Sequence, residues 1–164
     1  VYINGLSKSH AMTGYRVGFI LGSANVIAEM QKVHGTLTFA IPTFIQDAAL
    51  VALRDVTDTP LTMREVYKAR RDRVVPKLQA LGFDVVTPQG AFYLFAKLPA
   101  DLGEDGDAFA LKLAQEGKVA VIPGSGFSEA AKAYIRISYA ASDADLDEGI
   151  HRLSTYIDQL RRDN

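Results

Sequence analysis

Between Gly5 and Gly18 the chain reads Gly-Leu-Ser-Lys-Ser-His-Ala-Met-Thr-Gly-Tyr-Arg-Val-Gly, with a single lysine, Lys8, and a single arginine, Arg16. An amine held beside a second cation and partly withdrawn from water sheds its proton more readily and becomes a nucleophile for Schiff-base formation. An arginine offers a planar fork of donors that grips a phosphate through two bonds at once. Together the two suit an aldehyde cofactor carrying a phosphate. An arbitrary lysine and arginine at this spacing would be a solvated loop residue and a surface ion-pair partner. The surroundings decide between these readings.

Val1-Tyr2-Ile3 upstream and Val17 to Leu21 downstream are β-prone runs. Lys8 therefore stands where a strand ends, on a turn built from Gly5, Ser7 and Ser9, a setting that projects a side chain instead of packing it. Arg16 stands at the mouth of the next strand, so both cations are expected to converge on one space.

The stretch resembles the pyridoxal 5'-phosphate (PLP) attachment signature of class I/II aminotransferases of the aspartate/aromatic kind. That signature is a small residue, an apolar one, Ser/Thr/Ala/Gly and then Lys, followed by Ala-Met-Thr-Gly-aromatic-Arg-apolar-Gly. Every position from Gly5 to Gly18 fits it. The resemblance implies Lys8 as the catalytic lysine that carries PLP as a Schiff base, and Arg16 as the anchor of its phosphate. Ser7 either donates to that phosphate or closes the turn. Many family members carry another Ser three residues before the lysine, where this chain has Gly5.

A second resemblance lies in Tyr134 to Ala141, similar to the family's aromatic-Ile/Val-Arg-Ile/Leu-Ser run, in which the arginine binds the substrate's α-carboxylate. Arg136 is the matching residue here. Read without the resemblance, an arginine between two isoleucines is a solvent-facing residue at a sheet edge. Tyr93, in Gly90-Ala-Phe-Tyr, resembles a family motif but is expected to pack in the core. Phe127-Ser128 departs from the family's Phe-Gly after the Pro-Gly-Ser-Gly loop. The three histidines lack metal-ligand spacing.

The resemblance implies an α/β chain of fold-type I. Residues 1–58 would be the C-terminal part of the large PLP-binding domain, and residues 59–164 the small C-terminal domain, entered by a long connector helix. It implies transamination between an amino acid and a 2-oxo acid, in a homodimer with the cleft at the subunit interface. Rival readings are another fold-type I enzyme such as a β-lyase, and an aminotransferase-like ligand-sensing domain of a transcription regulator. Family members are much longer, and this chain opens at Val1 inside a strand, so it is expected to be the C-terminal piece of a longer protein. Alone, it is expected to be inactive.

Composition narrows the classes further. A chain of 164 residues suffices for one domain or one and part of another. Its 48% hydrophobic and 23% charged content is that of an ordinary globular protein. A net charge of −1, with signs interspersed, gives no basic patch for nucleic acid or anionic membrane. With no cysteine there is no disulfide framework or thiolate chemistry, and a cytoplasmic enzyme fits.

The remaining pattern predicts the scaffold. Ser23 caps a helix over 25–33, followed by a Thr/Gly loop over 34–39, and a buried helix runs from Thr43 to Arg54. Thr59 caps a helix with Pro60 at its first position, which Pro76 should kink or break and Gly82 ends. Arg70, Arg71 and Arg73 read as a solvated face. Short strands follow at 83–86, 91–95, 119–122 and 134–139, with a helix over 107–116 ended by Gly117. A last helix, capped by Ser142, carries an apolar seam of Leu146, Ile150, Leu153, Ile157 and Leu160.

Overall fold

The computed structural model describes residues 1–163. They form two compact units, Val1–Glu65 and a second that begins at Val66.

In the first unit, Tyr2–Gly5 (β1) and Gly18–Leu21 (β2) pair antiparallel, from Tyr2 opposite Leu21 to Gly5 opposite Gly18. The approach at that last pair is close, since a Cβ on Gly18 would lie 3.0 Å from the Asn4 carbonyl oxygen. Beyond the pair the chain forms one helical turn, Leu6–Ser9 (α1), and a 3-10 turn at Thr13–Tyr15. The Leu6 N–H donates to the Val17 carbonyl at 3.3 Å, extending the ladder one step into the connection.

The helix expected over 25–33 runs longer, as Ala24–Leu37 (α2). The Thr/Gly stretch stays helical, with Thr36 Oγ1 bonded back to the Lys32 carbonyl at 3.2 Å and the amides of Thr38 and Phe39 closing on the His34 carbonyl. Thr43–Asp55 (α3) lies where the pattern places it, but it is not buried. Its Ile45, Ala48, Ala49 and Ala52 pack with Leu6, Met12 and Val17, while Phe44, Leu50, Val51 and Leu53 are exposed. The helix is apolar on two sides, and the first unit covers one of them.

Thr59–Ala80 (α4) spans the boundary between the units in sequence. It begins one residue earlier than the Thr-Pro signal suggests. Thr62 donates both N–H and Oγ1 to the Asp58 carbonyl, at 3.0 and 3.2 Å, making Asp58 the capping position. Pro76 does not break it: the helix continues to Ala80 with Pro76 exposed and Val74, Val75 and Leu78 buried. On the solvent side, the carbonyl that the missing N–H leaves unbonded is open to hydration.

The second unit holds a four-stranded antiparallel sheet in the order β3-β4-β6-β5, formed by Asp84–Val85 (β3), Tyr93–Lys97 (β4), Ile122–Pro123 (β5) and Tyr134–Ser138 (β6). β6 is therefore an inner strand. Alternation turns Leu94, Ala96 and Ile135 into the core, each fully buried, and leaves Tyr93, Phe95 and Arg136 on the opposite face. The core is completed by α4, by Gly106–Lys112 (α5) and by Asp143–Asp163 (α6). Asp105 caps α5 by accepting from the N–H groups of Asp107 and Ala108 at 3.1 and 3.0 Å. Its helical path continues through a wider turn, Leu113–Gly117, to a left-handed Lys118. Ser142 caps α6 as expected, accepting from the Asp145 N–H at 3.1 Å.

The arginines of α4 are not a solvated face. Arg70 pairs with Asp143 at 2.8 Å, Arg73 with Asp143 at 3.3 Å, and Lys77 with Asp147 at 3.0 Å. Arg71 pairs with Asp72 and donates to the Pro88 carbonyl at 2.9 Å. The acidic start of α6 lies alongside this stretch of α4, so the charges clip the two helices together. Among the described residues, no helix is long and apolar enough to cross a membrane.

Candidate active site

Lys8 is the third residue of α1, and its side chain is exposed. The turn expected there is a helical one, and its hydrogen bonding involves Ser9. Ser9 Oγ lies 3.5 Å from the Gly5 carbonyl and 2.9 Å from His10 Nδ1, while Ser7 is half-buried. Arg16 has a left-handed backbone, φ 53°, at the end of the 3-10 turn. Its Nη1 donates to the Thr13 carbonyl at 3.1 Å. The register that pairs Gly5 with Gly18 puts both cations in the connection closing one end of the β1–β2 hairpin.

This connection fits a phosphorylated aldehyde in its donor chemistry. It carries one amine, one guanidinium with five N–H donors of which the Thr13 bond takes one, and the hydroxyls of Ser7 and Ser9. At Gly14 the connection faces open space: a Cβ built there would meet no atom within 4 Å. The expected partial desolvation of Lys8 is not seen, because its side chain is exposed. Among the described residues, no group of three or more His, Asp or Glu could hold a metal ion.

In the second unit, Arg136 is half-buried on an inner strand, not at a sheet edge. Directly opposite it stand Phe95 on β4 and Ile122 on β5. Its Cζ lies 4.4 Å from the centre of the Tyr93 ring and 4.8 Å from that of Phe127. Tyr93 is thus not a core residue. It sits diagonally across the strand pair from Arg136, on the outer face of the sheet. The strand alternation contained that signal for Tyr93. For Phe127, which comes from a loop, it did not.

The loop that delivers Phe127 is built on close approach. A Cβ on Gly124 would fall 2.2 Å from the Ala131 carbonyl oxygen, so no larger residue fits. The Phe127 N–H closes on the Gly124 carbonyl at 2.9 Å. Ser128 replaces the family's glycine without strain, because its backbone is extended at φ −168° and its Oγ accepts from the Ala130 N–H at 3.3 Å. The turn before Tyr93 contains a left-handed Ala91, φ 61°, whose carbonyl accepts from the Tyr139 hydroxyl at 2.9 Å. Burial pushes the Tyr139 hydroxyl's pKa up, so it remains a proton donor through the neutral range.

The family model described as aminotransferase class I and II matches residues 1–153. The chain is 40% identical over 157 residues to a probable N-acetyl-LL-diaminopimelate aminotransferase of Bacillus subtilis, covering 96% of this chain and 40% of that protein. It is 41% identical over 162 residues to an aspartate aminotransferase of Bacillus sp. strain YM-2, covering 96% and 41%. The crystal structure of an aromatic aminotransferase from Pyrococcus horikoshii superposes with a TM-score of 0.89 at 36% identity, over 97% of this chain and 43% of that one. The chain thus spans about two fifths of the length of the curated relatives it matches. With a mixed α/β architecture like theirs and a family model matching nearly its whole length, the chain belongs to the aminotransferase class I and II family.

Proposed function

We propose that this chain serves PLP-dependent transfer of an amino group between an amino acid and a 2-oxo acid. The observation that carries the reading is the β1–β2 register, which brings the only lysine and the only arginine of the signature to one end of a hairpin. The relatives, named as aminotransferases, favour this over a β-lyase or a ligand-sensing domain.

When bound, PLP supplies the electron sink that lets the Cα proton of an amino acid leave. The chain's own residues do the rest. Lys8 would hold the cofactor through Nζ and, when free, would be the base that takes the Cα proton at that same atom and delivers it to the carbon that was the cofactor's aldehyde. Arg16 grips the phosphate with the N–H donors not engaged by Thr13, and Ser7 is the nearby hydroxyl assigned to the same group. Arg136 holds the substrate's α-carboxylate, which fixes the orientation of the Cα–H bond.

Residues 1–58 are assigned to the large PLP-binding domain of fold-type I, and residues 59–164 to the small C-terminal domain. A cytoplasmic homodimer completes the reading, supported by the apolar residues of α3 that the chain leaves exposed.

The test is the visible absorption of the PLP-loaded protein, before and after Lys8→Ala. A band that moves from the Schiff-base region to that of free aldehyde on substitution is expected. An unchanged spectrum would overturn the assignment of Lys8.

A further inference from the structure

Arg136 presents a problem of electrostatics that its surroundings answer in an informative way. It is half-buried on an inner strand, and among the described residues no carboxylate pairs with it. A charge drawn partly out of water needs compensation. A protein carboxylate would supply it through the N–H edge of the guanidinium, and would thereby occupy the donors a ligand carboxylate needs. Aromatic rings compensate through the face of the group instead and leave the edge unengaged. Here the compensation is aromatic: Arg136 Cζ lies 4.4 Å from the Tyr93 ring centre and 4.8 Å from that of Phe127.

The rings are themselves braced. Phe127 meets Phe95 edge-on at 5.9 Å, Phe95 stacks on Tyr134 at 5.2 Å, and Tyr93 lies 4.6 Å from Phe92. Tyr93 is set by strand register and Phe127 by the Gly124 loop, so separate elements converge on one guanidinium.

We propose that Tyr93 and Phe127 are positioning residues that hold the Arg136 guanidinium by ring contact and keep its N–H edge presented to the substrate's α-carboxylate. The proposal rests on the reading of Arg136 given above. Both act through the arginine, whose Cζ they flank.

The experiment compares Tyr93→Leu, Phe127→Leu, Tyr93→Phe, Phe127→Tyr and Arg136→Lys in the full-length, PLP-loaded enzyme. Substrates are an amino acid and a primary amine with the same side chain but no carboxylate. Losing one ring should raise the amino-acid KM roughly two- to thirtyfold, the range expected for one cation–ring contact, with kcat little changed. The ring-retaining variants should stay near wild type, and the carboxylate-free amine should respond to none of the ring variants. Calorimetric Kd for a carboxylate inhibitor that lacks an amine should follow the same ranking. Phe127 is 53% exposed, so its leucine variant tests the idea without threatening the core. Leucine variants with wild-type KM beside a sensitive Arg136→Lys would sink the proposal alone, as would equal losses with the amine. A flat response to Arg136→Lys would remove the reading beneath it, and the proposal too.

Discussion

Arg16 combines the side chain proposed to hold the phosphate with an unfavourable backbone. Its φ of 53° lies in the left-handed region, where a side chain other than Gly, Asn or Asp is uncommon. This allows structure and function to be separated at one residue. Arg16→Gly should leave stability within about 1 kcal/mol of wild type, since glycine accepts that backbone freely. It should weaken PLP retention at least tenfold, measured by equilibrium dialysis, if the guanidinium holds the phosphate. Lys8→Ala makes the complementary case, losing the proposed covalent anchor while keeping the short helix, in which Ala is favoured.

Among the elements, the Gly124 turn and the α4–α6 clip make the sharpest predictions. Gly124→Ala places a Cβ 2.2 Å from a backbone oxygen and 2.9 Å from Tyr134 Cβ. Neither neighbour is a flexible chain end, so a loss of about 2–3 kcal/mol is expected in denaturant unfolding, with Phe127 displaced as a consequence. In the clip, the hydrogen bond from Arg70, with Arg73 nearby, holds the Asp143 carboxyl below its usual pKa. A lowered folded-state pKa means stability that is present above the ordinary carboxylate range and lost as pH falls through the folded value. Asp143→Asn should therefore lower the melting temperature at neutral pH. The gap to wild type should close as pH drops below the normal aspartate range. Because the pair is open to solvent, salt should narrow the same gap.

For the whole molecule, the two units differ in how far they bury themselves. The second has a continuous core from Val74 to Ile157. The first buries Leu6, Met12, Val17 and Ala52, while Phe39 is 90%, Leu37 79% and Phe44 69% exposed. Apolar surface on that scale marks a contact face. Residues 1–164 on their own are expected to bind a hydrophobic dye and to elute larger than a monomer, by fluorescence and light scattering. They are also expected to show no oxo-acid release from amino acids, since the resemblance offers no counterpart here for the acid on the cofactor's ring nitrogen. Turnover by this chain in isolation would contradict that expectation.

The family was legible in sequence because its signature is written in residue types at fixed spacing. Lys8, Arg16 and Arg136 each stand in a local pattern, and a turn or strand is decided by neighbours a few residues away. Helix positions followed for the same reason, and α6 could be read from its Ser142 cap and its apolar seam. What sequence left undecided depended on distant partners. Arg70 and Arg73 look like solvated charge until α6 brings Asp143 within reach, some seventy positions away. Pro76 looks like a break until packing turns it outward, and Tyr93 looks like core until the register of β4 with β6 sets it diagonally across from Arg136. Backbone propensity and spacing are local properties of the chain. Which charge meets which, and which ring faces which cation, is settled only when elements remote in sequence pack side by side.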